Sequence, residues 1–212
     1  SGVMALGTNG EFKALDDDES FSVLRFVSER LSPEKCIIAG VGRESLRQTV
    51  SFIGRLYAKG VDVDYVSILT PNYFGKLMTD DALVRFYEKA AGESPYPVLL
   101  YCAPSYANGV CISVEAAQRL SHHPNIRGMK DTSSNMMEAY MQAFAGREDF
   151  QVLAGSLSNI MTCLKMGGRG GVVSAANYFP EACARLLQIF REEGYEAAKA
   201  YHEKLQALSK QT

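Results

Sequence analysis

Lys130 closes the run Ile126-Arg127-Gly128-Met129-Lys130 and is followed by Asp131 and Thr132. Lysine is almost never fully buried unless it has a partner or a task. Taking its amine out of water disfavours the ammonium form, and the neutral amine attacks a ketone carbon to form a Schiff base. Two plainer readings stand beside that one: a stem snorkelling from a strand end, and an ion pair with Asp131. Tyr101 ends a second apolar run, Val98-Leu99-Leu100-Tyr101. A phenol there can relay protons at a reacting carbon, or it can simply pack and bond locally. A third segment, Gly7-Thr8-Asn9-Gly10-Glu11, sets a hydroxyl and an amide between glycines. Its N–H and O–H donors suit a substrate carboxylate, although an ordinary Asn-Gly turn uses the same residues.

Other motifs carry less chemistry. Gly167-Gly168-Arg169-Gly170-Gly171 precedes an apolar run and lacks the Gly-Lys-Ser/Thr ending of a phosphate loop, so it reads as a helix stop and tight turn. His122 and His123 form a pair in a connecting loop and His202 stands far off, which gives no metal-ligand spacing. Asp16-Asp17-Asp18-Glu19 reads as the solvated start of a helix, where the dipole favours acids. The five cysteines (Cys36, Cys102, Cys111, Cys163 and Cys183) are odd in number and widely spaced, without a Cys-x-x-Cys pair. Neither a disulfide framework nor a zinc site is indicated, and a reducing compartment fits best.

The elements that must position these residues alternate along the chain. Short apolar runs at Val3–Leu6, Cys36–Val41, Tyr65–Thr70, Val98–Tyr101, Ile126–Lys130, Gln151–Ala154 and Gly171–Ser174 predict strands buried on both faces. Stretches of helical period lie between them. One runs from Asp16 with Phe21, Leu24, Val27 and Leu31 on its apolar stripe; others start at Thr79, Ser113 and Pro180. A last helical stretch covers Tyr195–Leu208. Strand–helix repetition predicts βαβ units and a parallel α/β sheet, with reactive groups at the carboxyl ends of strands. Seven units suit neither a (β/α)8 barrel nor a five- or six-stranded doubly wound sheet. A barrel would need its missing unit to precede Ser1.

Composition narrows the function classes. Across 212 residues, 22 Lys+Arg against 24 Asp+Glu give a net charge of -2, and no basic block is present. Nucleic acid and anionic membrane are therefore not expected partners. No apolar run reaches the ~20 residues of a spanning helix.

Together these segments resemble one family. Gly7-Thr8-Asn9-Gly10-Glu11, Tyr101-Cys102-Ala103-Pro104, Gly128-Met129-Lys130-Asp131 and Gly168–Asn177 are similar, in order and separation, to motifs of the dihydrodipicolinate synthase / N-acetylneuraminate lyase superfamily of class I aldolases. The resemblance implies that Lys130 forms an imine with pyruvate or another 2-oxo acid, so no cofactor and no metal is needed. It implies that Tyr101 relays protons, that Thr8 links to Tyr101, and that Thr8 and Asn9 bind the carboxylate. Tyr73 would complete the relay from a neighbouring subunit, and Thr132 and the Val173 backbone would flank the substrate. It also implies an incomplete TIM (β/α)8 barrel over residues 1–194 whose first unit precedes Ser1, with residues 195–212 opening a C-terminal helical extension. A homo-oligomer, tetramer or dimer, is implied too, and a cytoplasmic or, with an upstream transit peptide, mitochondrial protein.

One departure bears on substrate. Ser105-Tyr106-Ala107-Asn108-Gly109 carries no arginine where the lysine-pathway synthases have one. With Asn9, Met129 and Phe150–Ser156, this makes the sequence more similar to the 4-hydroxy-2-oxoglutarate aldolase branch and to 2-keto-3-deoxy acid aldolases. The expected reaction makes or cleaves a C–C bond between pyruvate and an aldehyde. Dihydrodipicolinate synthesis and a catalytically inactive 2-oxo-acid-binding barrel remain the alternatives.

Overall fold

Alternating apolar and amphipathic segments give six strands and eight α-helices in the computed structural model, which describes residues 1–210. In chain order they are β1 Gly2–Ala5, α1 Asp17–Arg30, β2 Cys36–Gly40, α2 Leu46–Ala58, β3 Tyr65–Leu69, α3 Asp80–Glu93 and β4 Val98–Cys102. Then follow α4 Val114–Leu120, β5 Ile126–Asp131, α5 Met137–Ala143, β6 Gln151–Ala154, α6 Leu157–Lys165, α7 Pro180–Glu192 and α8 Tyr195–Ser209. The strands lie in sequence order, and the ladders of β1–β2, β2–β3 and β3–β4 are parallel. The chain forms two compact units, Ser1–Met129 and the part from Lys130 onward.

In the first unit the register sets Ala5 beside Ala39, Gly40 beside Ser67 and Leu69 beside Tyr101. Every residue of β4 is buried, as its uninterrupted apolar run predicts. β1 departs from that expectation. Gly2 and Val3 are exposed, and β1 ends at Ala5 because Leu6 turns into the left-handed region at φ 58°. Among the described residues β1 pairs only with β2, so one of its edges and its first residues face outward.

Helix starts follow the sequence signals. Asp16 Oδ1 accepts from the N–H groups of Asp18 and Glu19 at 2.8 Å each, and Glu19 returns a bond to the Asp16 N–H at 3.0 Å. Thr79 and Ser113 accept from Ala82 and Ala116 in the same way. The stripe of α1 is shallower than its spacing suggests: Leu24 is fully buried, whereas Phe21, Val27 and Leu31 are half-buried. Deeper anchoring comes from α2, with Phe52, Ile53 and Leu56, and from α3, with Leu83, Val84 and Tyr87.

Two polar side chains tie the helices of this unit to its sheet. The Tyr87 hydroxyl, within fully buried surroundings, donates to the Ile68 carbonyl at 3.0 Å. Asn125, just before β5, donates to the carbonyls of Ala91, Ser94 and Tyr96 at 2.9–3.0 Å. Its own carbonyl accepts from the Val98 N–H at 2.8 Å. One amide thereby closes the turn between α3 and β4.

The second unit corrects one expectation. The predicted seventh strand, Gly171–Ser174, is reduced to a single parallel bridge between Gly171 and Ala154. Val172 and Val173 are only half-buried, and the chain coils into a 3-10 turn at Ser174–Asn177 before a ladder can extend. The glycine run ends α6 as predicted. Gly167, at φ 90°, bonds back to the Leu164 carbonyl and Gly168 to that of Cys163, the Schellman arrangement that requires a left-handed residue. Pro180 opens α7, and buried His202 on α8 lies 2.7 Å from the Leu157 carbonyl at the start of α6.

Replacing Asn125 by Ala removes its bonds to three carbonyls, of which Ala91 and Tyr96 keep one from Ser94, and is expected to destabilise the protein by about 2 kcal/mol, whereas Asp16→Ala costs about 1 kcal/mol. Urea unfolding midpoints of the two variants check the order. A larger loss at Asp16 would contradict the role given to Asn125.

Candidate functional site

In the first unit, Thr8 and Tyr101 meet. The Gly7–Glu11 segment folds into a 3-10 turn, Thr8–Gly10, closed by Gly10 N–H to Gly7 O at 3.0 Å and Glu11 N–H to Thr8 O at 3.1 Å. That turn follows β1 and brings the Thr8 hydroxyl to 2.9 Å from the Tyr101 hydroxyl. Tyr101 is 3 % exposed at the end of β4, and its carbonyl accepts from the Thr70 N–H. A phenol held by a second hydroxyl in a nearly dry place can receive a proton on one side while giving one on the other. Asn9, beside Thr8, is exposed.

Tyr73 lies elsewhere. It is 76 % exposed, and its ring stands edge-on to Phe74 at 4.9 Å between centroids. Sequence reasoning did not single out the residue that holds this segment, Glu44. Its carboxylate accepts from the N–H groups of Asn72 at 2.8 Å and Tyr73 at 2.9 Å, and pairs with the Lys13 ammonium at 3.1 Å. Partial burial by itself would raise this carboxyl, but the two N–H donors and Lys13 hold it below the ordinary carboxylate value. A lone Glu in a loop gives no sequence signal, because its partners are backbone groups 28 and 29 residues away.

The second unit begins with Lys130. It is 8 % exposed at the end of β5, and Asp131 beside it is fully buried. Asp131 accepts from both the N–H and the hydroxyl of Ser133, each at 2.9 Å. Burial raises the Asp131 carboxyl, and the two Ser133 bonds partly offset the rise. The Ser133 hydroxyl in turn accepts from the Met136 N–H, and the Ser133 carbonyl accepts from Asn159 at 2.7 Å. The turn after Lys130 is therefore held from both sides.

Gly155 is the other half of that lock. Its N–H donates to the Asp131 carbonyl at 2.6 Å, and a Cβ at this position would lie 2.1 Å from the Thr132 hydroxyl. Only glycine lets β6 approach so closely. The Thr132 hydroxyl is buried and has no hydrogen-bond partner among the described residues, an uncommon state for a donor. Val173 is extended and half-buried, and its carbonyl is taken by the Ala176 N–H. Among the described residues no group of three or more His, Cys, Asp or Glu gathers as a metal site, and no helix is long and apolar enough to cross a membrane.

The model of the dihydrodipicolinate synthetase family matches residues 1–212. The chain belongs to that family. Its relatives include the "Probable 4-hydroxy-2-oxoglutarate aldolase, mitochondrial" of Emericella nidulans, 31% identical over 98% of this chain and 67% of that protein. A 4-hydroxy-tetrahydrodipicolinate synthase of Thermodesulfovibrio yellowstonii is 28% identical over 99% of this chain and 70% of its own length. Among solved structures, a dihydrodipicolinate synthase of Acinetobacter baumannii complexed with pyruvate is similar with a TM-score of 0.88 and 27% identity, over 98% of this chain and 70% of that one. The chain spans 65% to 70% of the length of these relatives and of a second fungal one. Family membership makes this a lyase-type α/β protein, with the parallel fold that the family's structures share.

The Glu44 bonds carry a pH expectation. A carboxyl lowered by folding adds stability that is present above its unfolded value, about 4.3, and lost as pH falls through its lower folded value. The protection factors of the Asn72 and Tyr73 amides, each rate taken against the intrinsic rate at the same pH, are expected to be high at pH 6 and to fall as pH falls through that window. Glu44→Ala, which leaves no side-chain acceptor, should lower both protection factors and make them independent of pH across the range; protection that persists in this variant would remove Glu44 from the role.

Proposed function

We propose that this family member is a class I, pyruvate-dependent aldolase that makes or cleaves a C–C bond through an imine on Lys130. The observation that carries the reading is the Lys130 side chain, almost wholly buried at the end of β5 and followed by a turn that Asp131 and Gly155 hold in place. An amine kept from water in a fixed position meets the first requirement of an imine-forming nucleophile.

In this reading the Lys130 nitrogen adds to the C2 carbonyl of a 2-oxo acid, and the carbinolamine oxygen then leaves as water. The iminium nitrogen accepts the electron pair of the breaking C3–C4 bond, so an enamine forms in place of a free carbanion. The C4 hydroxyl gives up its proton as the aldehyde departs. Protonation of the enamine at C3 and hydrolysis return pyruvate and the amine. The Thr8–Tyr101 hydroxyl pair, at 2.9 Å, suits the proton transfers to and from the carbinolamine oxygen. The unpartnered Thr132 hydroxyl, together with Thr8 and Asn9, is the proposed holder of the substrate carboxylate, and the Val173 backbone flanks it. The proposed role of Tyr73 in the relay is reached from a second copy of the chain, consistent with its exposure. The reaction needs no metal and no organic cofactor, since the imine itself is the electron sink.

The favoured substrates are 4-hydroxy-2-oxoglutarate and 2-keto-3-deoxy acids, with pyruvate as the product that stays on the enzyme. Two things support this: the pyruvate named with the Acinetobacter baumannii protein and the aldolase name of the Emericella nidulans relative. The absence of arginine from Ser105–Gly109, where the lysine-pathway synthases that the sequence resembles carry one, disfavours dihydrodipicolinate synthesis. Dihydrodipicolinate synthesis is the second reading, favoured by the Thermodesulfovibrio yellowstonii relative. We place the reading in an incomplete (β/α)8 barrel over residues 1–194 with a helical extension from residue 195, assembled as a homo-oligomer in the cytoplasm or mitochondrion.

Borohydride reduction in the presence of pyruvate should fix a pyruvoyl adduct on Lys130, read by peptide mass spectrometry. A protein that binds pyruvate yet yields no adduct would sink the imine. Lys130→Ala should abolish turnover, and Tyr101→Phe should slow it by about 10²-fold at unchanged stability. Pyruvate release across a panel of 2-oxo acids separates cleavage from synthase activity.

A further inference from the structure

Two cysteines that the sequence spacing did not pair stand together in the first unit. Cys102 ends β4, immediately after Tyr101, and its sulfur lies 3.4 Å from that of Cys111, nine residues on. Neither is in a disulfide. The intervening loop already folds back on itself. Tyr106 N–H bonds to Ala103 O, the N–H groups of Ala107 and Gly109 both reach Pro104 O, and Val110 N–H reaches Ala107 O. Asn108 and Gly109 take the left-handed conformations, φ 50° and 77°, that such a reversal needs. Asn108 also donates to the Asn72 carbonyl at 3.2 Å, which fixes the tip of the loop.

We propose that Cys102 and Cys111 are a modification site: a dithiol that a small-molecule disulfide oxidises to an intramolecular cystine, locking the loop Ala103–Val110 behind Tyr101. The two sulfurs need move only about 1.4 Å closer to reach the bonding distance of about 2.05 Å. Cys102 is fully buried and Cys111 half-buried, which orders the steps. The Cys111 thiolate attacks one sulfur of the oxidant, forming a mixed disulfide and releasing one small thiolate. The Cys102 sulfur then attacks the Cys111 sulfur, and the second small thiolate leaves. Two electrons pass from the protein sulfurs to the oxidant, and the two thiol protons end on the two small thiols. Burial pushes the thiols of Cys36, Cys163 and Cys183 up, with Asp64 adding to the effect at Cys36, so less of each is thiolate.

The probe is oxidised glutathione, added to the full chain, followed by thiol titration in denaturant, intact mass and non-reduced peptide mapping. Two of the five thiols should disappear. The mass should fall by about 2 Da, a peptide joining Cys102 to Cys111 should appear, and dithiothreitol should reverse all three. Hydrogen exchange of Ala103–Val110 should slow in the oxidised form. Cys111→Ser, a change at a half-buried position, should lose none of its four remaining thiols to an internal link. A lasting glutathione adduct on Cys111 without the link, a link through any other cysteine, five surviving thiols, or unchanged loop exchange would each overturn the proposal. None of these readouts depends on Lys130 chemistry, so the site and the aldolase reading fail separately.

Discussion

Backbone pairing between neighbouring parallel strands is the constraint on which the rest of this protein depends. A strand buried on both faces has no water for its N–H and C=O groups, so each must find a partner in the adjoining ladder. Once β3 and β4 are in register, Leu69 beside Tyr101, the end of β4 has one position in its unit. The turn after β1 then brings the Thr8 hydroxyl to the Tyr101 phenol. The same logic acts in the second unit at closer range. The bond from the Gly155 N–H to the Asp131 carbonyl draws β6 against the residue that follows Lys130.

Polar residues that take no part in the proposed chemistry set its geometry. Asp131 spends both oxygens on Ser133, and Ser133 passes the constraint to Met136 and Asn159. Glu44 likewise gathers two backbone N–H groups and an ammonium, and thereby presents Tyr73 on the surface. Asn125 closes the turn between α3 and β4 from three directions. Each is a short side chain binding backbone groups, so its effect is to choose one loop conformation among many.

Much of this was legible in the chain. Five of the apolar runs became strands close to where their patterns place them, and β1 appeared one residue early and more exposed. Helix starts at Asp16, Thr79, Ser113 and Pro180 followed from capping chemistry that acts within four residues. The run at Gly171–Ser174 did not become a strand, because an apolar pattern states what can be buried and not whether a neighbour is there to pair with it. The local pattern puts Tyr101 and Lys130 at strand ends, and in the structure each is the next-to-last residue of its strand.

Sequence by itself determined the parallel α/β class, the family, and the lysine, tyrosine and threonine with which the proposed chemistry is built. Those features rest on residue type, period and short spacing. Only the tertiary structure decided that Thr8 bonds Tyr101 across 93 residues and that both Asp131 oxygens accept from Ser133. It alone left the Thr132 hydroxyl without a hydrogen-bond partner among the described residues and placed the Cys102 and Cys111 sulfurs side by side. Spacing along a chain fixes neighbours within a turn of helix or strand; distances between segments arise only when burial and backbone pairing choose which strands adjoin.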